Sequence, residues 1–449
     1  MAKITFMGAG SSVFAKNVLG DCMCRESLHD MEIALYDIDA ERLKESQAML
    51  EILNKNINQN RATIKSYLGV ESRQDALRGA GYVINCIQVG GYEPSTVIDF
   101  EIPKKYGLRQ TIADTTGIGG IFRALRTIPV MFDFAKDMEK VCPNALMLNY
   151  TNPMSMLSGA MLRGTNINYV GLCHSVQVVA KNFMEPLGVW TEEREKNIRT
   201  RVAGINHMAW LLEITENGKD IYPELKELSA KKMAEWRAAD KKEDKSGDMV
   251  RRELMKYFGY YITESSEHNA EYHPYFIKDK YPHLVDEFNI PLDEYPRRCI
   301  KQIDEWRKRS KELTENPDIT HEASHEYGSG IINAMETNIP FSIGGNVLNT
   351  GLITNLPYNC AVEVPCLVNS NGVQGCYVGA LPEQCAALNR TNINVHLMVI
   401  EAALTLKKDY IYNAAMLDPH TASELSIDDI VSMCDELIEA HGDMMPKYK

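Results

Sequence analysis

The first half of the chain alternates short apolar runs with segments of helical spacing. Residues 3–7 alternate as a strand, "GAGSS" follows at 8–12, and "VFAKNVLGDCMC" has the apolar spacing of a helix. A second apolar run, "MEIALYDID" at 31–39, ends in carboxylates and precedes the amphipathic segment "AERLKESQAMLEILNKN". This order of strand, glycine turn, helix and strand predicts half of a dinucleotide-binding fold.

Three further apolar runs predict buried strands separated by helical segments. They are "GYVINCIQVGG" (81–91), "NALMLNYTNP" (144–153) and "INYVGLCHS" (167–175). Strands that alternate with helices form a parallel, doubly wound sheet, and such sheets bind ligands at the carboxyl ends of their strands. The polar and glycine residues that end each run are therefore expected to share one ligand-binding edge.

The pattern changes after about residue 195. The charged segment "KKMAEWRAADKKEDKSGD" (231–248) predicts a solvated helix or loop, and residues 372–409 are expected to lead into a long helix. We therefore predict an α/β protein with a Rossmann-like NAD-binding domain over 1–195. A mixed α+β domain over 196–449 is expected to close over the nucleotide and to complete the site.

The composition narrows the classes of partner. The 449 residues are 45% hydrophobic and 24% charged, as in ordinary globular proteins, and the net charge of -13 without a basic run argues against nucleic acid. No segment approaches the roughly 20 apolar residues of a membrane span, and "MAKITFMGAG" enters a strand directly, without a signal peptide. Eleven cysteines without framework spacing predict free thiols in the cytoplasm. A small uncharged substrate is the expected partner.

The glycine turn and the second strand together predict an NAD site. "GAGSS" supplies Gly8 and Gly10, which let the backbone approach a pyrophosphate, although the third glycine position holds Val13. Asp37 lies 27 residues beyond Gly10 and can accept both ribose hydroxyls, which favours NAD over its 2'-phosphorylated form. Asp39 is expected to cap the next helix instead. The predicted cofactor-binding residues are Gly8, Gly10, Ser11, Asp37 and Gly90.

A thiol and two imidazoles follow short apolar segments farther along the chain. Cys173 and His174 stand in "GLCHSVQ", and His207 stands in "GINHMAW". One thiolate and one imidazole form an incomplete metal shell, which leaves coordination positions open for substrate oxygens. The alternative interpretation of Cys173 is a buried core thiol.

Two polar segments are candidates for the walls of the site. "TESSEHNAEYHPYF" (263–276) concentrates histidine, glutamate and tyrosine outside any periodic pattern, which predicts a loop entering a pocket or, alternatively, a polar surface loop. "ADTTGIGG" (113–120) is a glycine-rich loop with Asp114 as its only charge, or a simple turn.

Eight ordered segments resemble glycoside hydrolase family 4, whose members are NAD-dependent glycosidases. The resemblance covers essentially the full length and rests on "FMGAGSSVF", "QVGGYEPSTVIDFEIPKKYGL", "ADTTGIGG", "LNYTNPM", "GLCHSVQ", "GINHM", "SSEHNAEYHPYF" and "NTGLITNLPYNCAVEVPCLV". By position, it implies that Cys173 and His207 bind a divalent metal, usually manganese. It also implies that Asn152 holds sugar hydroxyls, that Tyr272 is the catalytic base, and that a nearby Asp114 raises the basicity of this tyrosine.

The chain departs from the family pattern at two positions. His174 replaces the aspartate that acts as acid in the phospho-alpha-glucosidase branch, so the acid is either His174 or a water molecule. Ser95 replaces the arginine with which the phosphoglycosidases grip the sugar phosphate, so we expect an unphosphorylated hexoside. Arg297 or Arg298 in "EYPRRC" is a candidate substrate contact or a surface ion pair.

The resemblance also implies a reaction sequence. NAD takes hydride from C3 of the sugar, the base removes the C2 proton, the aglycone is eliminated, water adds at C1, and hydride returns to C3. The segments "CHSVQ" and "SSEHNAEY" favour alpha-galactosides of the melibiose or raffinose type. Alpha-glucosidase and alpha-galacturonidase activities are the related alternatives.

Two other functional classes fit part of the pattern. The glycine loop, Asp37 and "TNP" are shared with malate and lactate dehydrogenases, whose two-domain architecture we also expect here, so a 2-hydroxy acid dehydrogenase is one alternative. A non-catalytic NAD-binding redox sensor with Cys173 as its thiol is another. We further predict a homo-oligomer, either a dimer or a tetramer.

Overall fold

Thirteen strands form one sheet in the computed structural model, which describes residues 2–324 and 326–449. The strands are β1 (Lys3–Met7), β2 (Glu32–Asp37), β3 (Thr63–Leu68), β4 (Tyr82–Asn85), β5 (Leu146–Asn149), β6 (Asn168–Leu172), β7 (Ile198–Ile205), β8 (Met208–Glu216), β9 (Lys219–Asp220), β10 (Tyr261–Ile262), β11 (Phe341–Leu348), β12 (Ala361–Asn369) and β13 (Gly372–Gly375).

Eighteen α-helices accompany this sheet within the described residues. They are α1 (Ser12–Met23), α2 (Ala40–Asn58), α3 (Arg73–Leu77), α4 (Val97–Lys105), α5 (Gly117–Val141), α6 (Met154–Gly164), α7 (Ser175–Met184), α8 (Glu192–Glu195), α9 (Tyr222–Ala238), α10 (Met249–Phe258), α11 (Ser266–Glu271), α12 (His283–Glu287), α13 (Glu294–Glu315), α14 (Tyr327–Thr337), α15 (Glu383–Thr405), α16 (Asp409–Leu417), α17 (Pro419–Glu424) and α18 (Ile427–His441).

The first six strands are parallel and lie in the order β3-β2-β1-β4-β5-β6. This is the strand order of a Rossmann sheet, in which the chain switches direction at β1 and leaves a crevice at the carboxyl ends. Because β1, β4 and β5 are almost wholly buried, they consist of continuous apolar runs. The predicted α/β class with a doubly wound sheet is confirmed.

The strands of the second half extend this sheet and do not form a sheet of their own. Strand β11 pairs antiparallel with β6 and β12, and β12 then pairs with β7, which begins the β7-β8-β10 edge. Strand β11 joins β6 through the pairs Gly345–Leu172 and Asn346–Gly171, and Leu172 directly precedes Cys173. The predicted boundary at 195 falls between α8 and β7. The sheet therefore brings residues from both halves to one edge.

Two local predictions meet different outcomes. The long helix expected within 372–409 is α15, and the charged segment at 231–248 begins in α9. The prediction of a loop over 263–276 is wrong in part, because α11 forms within it and most of its residues are buried. Burial in contact with neighbouring elements stabilises this short helix despite its lack of apolar periodicity. Within the described residues, every helix is too short or too polar to cross a bilayer.

Candidate active site

A cleft of about 320 Å³ opens at the carboxyl edge of the parallel strands. Residues that follow β1, β4, β5 and β6 contribute to its wall, as expected for a doubly wound sheet. Helix α11 and the β7–β8 turn contribute from the second half. The predicted site residues that line the cleft are Ser11, Asp114, Asn152, Cys173, His174 and His207, and the additional lining side chains include Cys86, Tyr150, Glu264 and His268.

The glycine loop after β1 leaves space for a ligand at the start of α1. Gly8 has φ +88, and a Cβ there would lie 3.1 Å from the backbone of Cys86. The Asp37 carboxylate accepts hydrogen bonds from the backbone N–H groups of Gly10 (2.6 Å), Ile38 (2.8 Å) and Asp39 (3.0 Å). The loop is thereby held beside the positive end of α1, and this arrangement fits a dinucleotide.

Asp37→Asn is expected to raise the Kd for NAD by about 10- to 100-fold. Hydrogen bonds to a charged group contribute about 1.5–3 kcal/mol, and about 1.4 kcal/mol is tenfold in affinity. Asp39 provides a matched control, because its carboxylate caps α2 through Glu41 and Arg42, and asparagine is an equally good cap. Fluorescence titration with NAD should therefore separate Asp37→Asn from Asp39→Asn; equal affinities would contradict the assignment of Asp37.

Three potential metal ligands meet on one side of the cleft. The thiol of Cys173, one ring nitrogen of His207 and one carboxylate oxygen of Glu264 all lie within 4.8 Å of one another. Cys173 directly follows β6, whereas His207 occupies the tight turn between β7 and β8 with φ +62. A thiolate, an imidazole and a carboxylate are suitable donors for a divalent transition metal. Glu264 lies in the segment 263–276, which is predicted to form a pocket wall. Its spacing from Cys173 and His207 along the chain does not indicate a metal ligand.

The two nitrogens of His207 have different partners. Nε2 lies 3.3 Å from Oε2 of Glu264, and Nδ1 lies 2.9 Å from the hydroxyl oxygen of Tyr272. If Nε2 binds a cation, the ring proton must be on Nδ1, where it donates to the Tyr272 oxygen. The tyrosine therefore contacts a candidate metal ligand directly.

Tyr272 lies behind His207, and it is only 2% exposed. Burial raises the pKa of Tyr272 well above its ordinary value, and the Asp114, Glu271 and Glu264 carboxylates add to this effect. Burial alone would also raise the pKa of Asp114, but its interaction with His268, 3.5 Å away, holds that pKa well below the usual range. Asp114 is consequently ionised, and its charge helps to raise the pKa of the Tyr272 phenol.

Glu271 fixes the loop that carries Asp114. Its carboxylate accepts hydrogen bonds from the backbone N–H groups of Thr111 (2.9 Å) and Ala113 (2.8 Å), and Ala113 has φ +51. Burial raises the pKa of Glu271 to about 7. This carboxyl is therefore a positioning group that joins the "ADTTG" and "AEYHP" segments, and no local pattern in the sequence indicates the contact.

His174 lies at the start of α7 and pairs with Glu326. Its Nε2 is 2.6 Å from Oε2 of Glu326, and this hydrogen bond raises the pKa of His174. Glu326 is 152 residues away in the chain and precedes α14, so sequence spacing does not reveal the pair. The contact joins Glu326, directly before α14, to His174 in the lining of the cleft.

Glu326→Gln is expected to destabilise the protein more at about pH 6 than at about pH 9. The pKa of His174 is higher in the folded protein than in the unfolded chain. The pair therefore contributes its full stability at pH values below the pKa of the unfolded histidine, and this contribution is lost as the pH rises through the pKa of the folded one. Urea unfolding at both pH values measures the difference. Glu322 is exposed in the same segment, so Glu322→Gln should change little. Equal destabilisation by Glu326→Gln at both pH values would contradict the pairing.

Gly90 and Ser95 belong to the loop after β4, away from the cleft lining. Gly90 has φ +79, and a Cβ there would lie 1.8 Å from Oγ of Ser95. Ser95 is fully buried, and its hydroxyl points at the sulfur of Met444, 3.2 Å away. Ser95 is thus covered by Met444.

The two arginines of α13 form surface ion pairs. Arg297 donates to Glu294 (2.8 Å) and to the Leu292 carbonyl (2.6 Å), while Arg298 donates to Glu267 and Glu294. Neither is among the described lining residues of the cleft. The sequence leaves two interpretations of Arg297 and Arg298, a substrate contact or a surface ion pair. The structure places both arginines in surface ion pairs.

The fold and the site together define a nucleotide-binding enzyme with a metal-capable cleft. Two family models match the chain: Family 4 glycosyl hydrolase over residues 3–189 and Family 4 glycosyl hydrolase C-terminal domain over residues 202–421. The chain belongs to glycosyl hydrolase family 4 and is a glycosidase.

Several known proteins are similar over the whole chain. An alpha-galactosidase of Bacillus subtilis (strain 168) is 63% identical over 449 residues, covering 100% of both chains. The crystal structure of lplD from the same species is 26% identical, with a TM-score of 0.85, and the match covers 97% of this chain and 99% of that one. A 6-phospho-alpha-glucosidase from gut microorganisms, solved in complex with NAD and Mn2+, has a TM-score of 0.80 at 20% identity over 100% of both chains, and this similarity supports the fold.

Proposed function

We propose that this glycosidase hydrolyses unphosphorylated alpha-galactosides, using NAD and a divalent cation such as Mn2+. One observation carries the proposal: the Cys173 and His207 donors face the same cleft as the glycine loop that Asp37 holds. The two cofactor sites are therefore close enough to act on one sugar ring. The choice of galactose rests on the alpha-galactosidase of Bacillus subtilis.

The residues of the cleft have different roles around the sugar. When bound, NAD supplies reversible hydride transfer at C3, and the cation supplies Lewis-acid polarisation of the adjacent oxygens. Asn152 presents its amide to the sugar hydroxyls from the end of β5. Cys173 and His207 would hold the cation, which would supply Lewis acidity to the sugar oxygens beside the C2 proton.

Tyr272 accepts the C2 proton, and its basicity comes from its surroundings. Burial and the Asp114 carboxylate raise the pKa of the phenol, whereas hydrogen bonding from His207 and the charge of a cation held by Cys173 and His207 would lower it and favour the phenolate. His174 stands on the opposite rim with Glu326, where the pair protonates or orients the leaving oxygen. Such acid–base assistance contributes about 10² to 10⁴ in rate.

The charge of the cleft favours neutral sugars over phosphorylated ones. The described lining contains the carboxylates of Asp114 and Glu264 and includes neither lysine nor arginine. A sugar phosphate would meet like charge without a lysine or arginine partner, at a cost of several kcal/mol. Ser95, buried beneath Met444, offers it no contact either.

A nitrophenyl glycoside panel with NAD, Mn2+ and a thiol reductant tests the proposal. We expect the alpha-galactoside to be the best substrate and its 6-phosphate to have a kcat/KM at least about 100-fold lower, which corresponds to about 2.7 kcal/mol. Alpha-glucosides and alpha-galacturonides test the two related activities. A preference for the 6-phosphate would contradict the proposal.

The other functional classes make different demands. A 2-hydroxy acid dehydrogenase needs arginines in the cleft and accumulates NADH, whereas the described lining offers no arginine. A redox sensor would show no turnover with any glycoside. We also propose a cytoplasmic homo-oligomer: eleven free cysteines suit a reducing compartment, and closed homo-oligomers are common among such enzymes. Light scattering measures the oligomeric state directly.

A further inference from the structure

We infer that Glu264 is a third protein ligand of the divalent cation and that its carboxylate contributes more to the affinity for Mn2+ than to the affinity for Zn2+. The inference rests on the metal site of the proposed function and deepens it. A site of thiolate, imidazole and carboxylate holds the cation with three protein atoms before any sugar arrives. It still leaves positions for the O2 and O3 atoms of the substrate.

The distances among the three donors suit a single ion. Oε2 of Glu264 lies 3.3 Å from Nε2 of His207, and all three donor atoms, including the thiol of Cys173, lie within 4.8 Å of one another. Ligands that sit about 2.0–2.3 Å from one ion are separated by about 3–5 Å, depending on the angle between them. No main-chain rearrangement is needed to bring the donors to one centre.

The Glu264 side chain is held in the ligating orientation. Its Oε1 accepts a hydrogen bond from the backbone N–H of Ser265 (2.8 Å), which leaves Oε2 directed at His207. Its backbone carbonyl accepts a hydrogen bond from the side chain of Asn269 (3.1 Å), which is fully buried within α11. Such outer hydrogen bonds are the usual means of orienting a metal-binding carboxylate.

The negative charge around these donors also favours the binding of a cation. Among the described lining residues, the basic side chains are histidines, whereas Asp114, Glu264 and a metal-binding Cys173 thiolate are anionic. A bare ion pair between Glu264 and a protonated His207 is the competing explanation for their contact. The two explanations predict opposite results. An ion pair with Glu264 would compete with the metal for His207, so removing the Glu264 charge would leave the metal affinity unchanged or raise it, whereas removing a ligand lowers that affinity.

The carboxylate also affects which metal is preferred. Thiolate and imidazole suit Zn2+, whereas carboxylate and sugar oxygens are harder donors that suit Mn2+. Glu264→Gln removes the charged oxygen donor and keeps the soft donors of Cys173 and His207. The affinity for Mn2+ should therefore fall more than the affinity for Zn2+.

The direct test is a titration of the full-length protein with Mn2+, in which electron paramagnetic resonance measures the free ion. We expect Glu264→Gln to raise the Kd for Mn2+ at least about tenfold, since even outer-shell changes cost about 10- to 100-fold. The Kd for Zn2+, from competition with a chromogenic chelator, should rise less. Glu264→Asp, which keeps a carboxylate, should recover part of the Mn2+ affinity.

The controls separate this inference from the proposed function. Glu213 is an exposed carboxylate on β8 that pairs with Arg201, so Glu213→Gln should bind Mn2+ as the unmodified protein does. If Glu264→Gln keeps the full Mn2+ affinity while Cys173→Ser loses it, the third ligand is wrong and the metal site stands. If the unmodified protein does not bind Mn2+, the proposed metal site fails as well. Matching near-ultraviolet circular dichroism spectra establish that the variants are folded.

Discussion

Cys173→Ser is expected to lower kcat by about 10³-fold or more while the protein stays folded. The substitution replaces the soft anionic donor that follows β6 with a hydroxyl, which is a weak ligand for a divalent transition metal. Metal polarisation of a substrate oxygen contributes several kcal/mol, and about 4 kcal/mol corresponds to about 10³-fold in rate. Steady-state hydrolysis of a nitrophenyl alpha-galactoside with saturating NAD and Mn2+ measures the loss.

Cys376 provides the matched control for this substitution. It is an exposed free cysteine, so Cys376→Ser changes the same atom at the surface and should leave kcat unchanged. The Cys173 thiol lies 3.2 Å from the Ser175 hydroxyl, and serine is nearly isosteric with cysteine, so thermal unfolding of Cys173→Ser should be little altered. Wild-type turnover by Cys173→Ser after chelation would contradict the role of the metal in catalysis.

Tyr272→Phe is expected to lower kcat by about 10² to 10⁴, the range that a positioned acid or base contributes. The substitution removes only the hydroxyl that contacts His207, and the ring remains buried. Without the phenolate, the C2 proton is removed about 10² to 10⁴ times more slowly, although hydride transfer at C3 is still possible. Pre-steady-state absorbance should therefore show NADH forming in the variant without release of the aglycone.

Isotope exchange distinguishes this role from a structural one. In deuterated water, the unmodified enzyme should place deuterium at C2 of the released sugar, and Tyr272→Phe should not. Tyr257 is 70% exposed and lies outside the cleft, so Tyr257→Phe is the control with unchanged kcat. Deuterium at C2 in the product of Tyr272→Phe would assign the base to another group.

The strands that form the nucleotide edge are predictable because they are buried. Five predicted strands correspond to β1, β2, β4, β5 and β6, and each observed strand ends where its predicted run ends or a few residues before it. Strand β3 has no such signal, because it forms the exposed edge of the sheet and its sequence, "TIKSYL", is mostly polar. The extension of the sheet through β11 depends on pairing between distant segments, which local periodicity does not encode.

The residues of the candidate site are also predictable only in part. Cys173, Asn152 and the glycine loop follow predictable strands, so their meeting at one edge follows from the topology. Glu326 reaches His174 across 152 residues and Glu271 reaches Thr111 across 160, so no spacing rule finds them. These long-range carboxylates are the groups that tune or position the residues which the motifs identify.

The most direct test of transient oxidation is the rate of the enzyme without its nucleotide. Protein freed of NAD by dialysis and charcoal treatment is assayed on melibiose with Mn2+ and reductant, before and after NAD is added. The account predicts background hydrolysis without NAD, full recovery when NAD is restored, and no net accumulation of NADH. Full-rate cleavage by the nucleotide-free protein would contradict it.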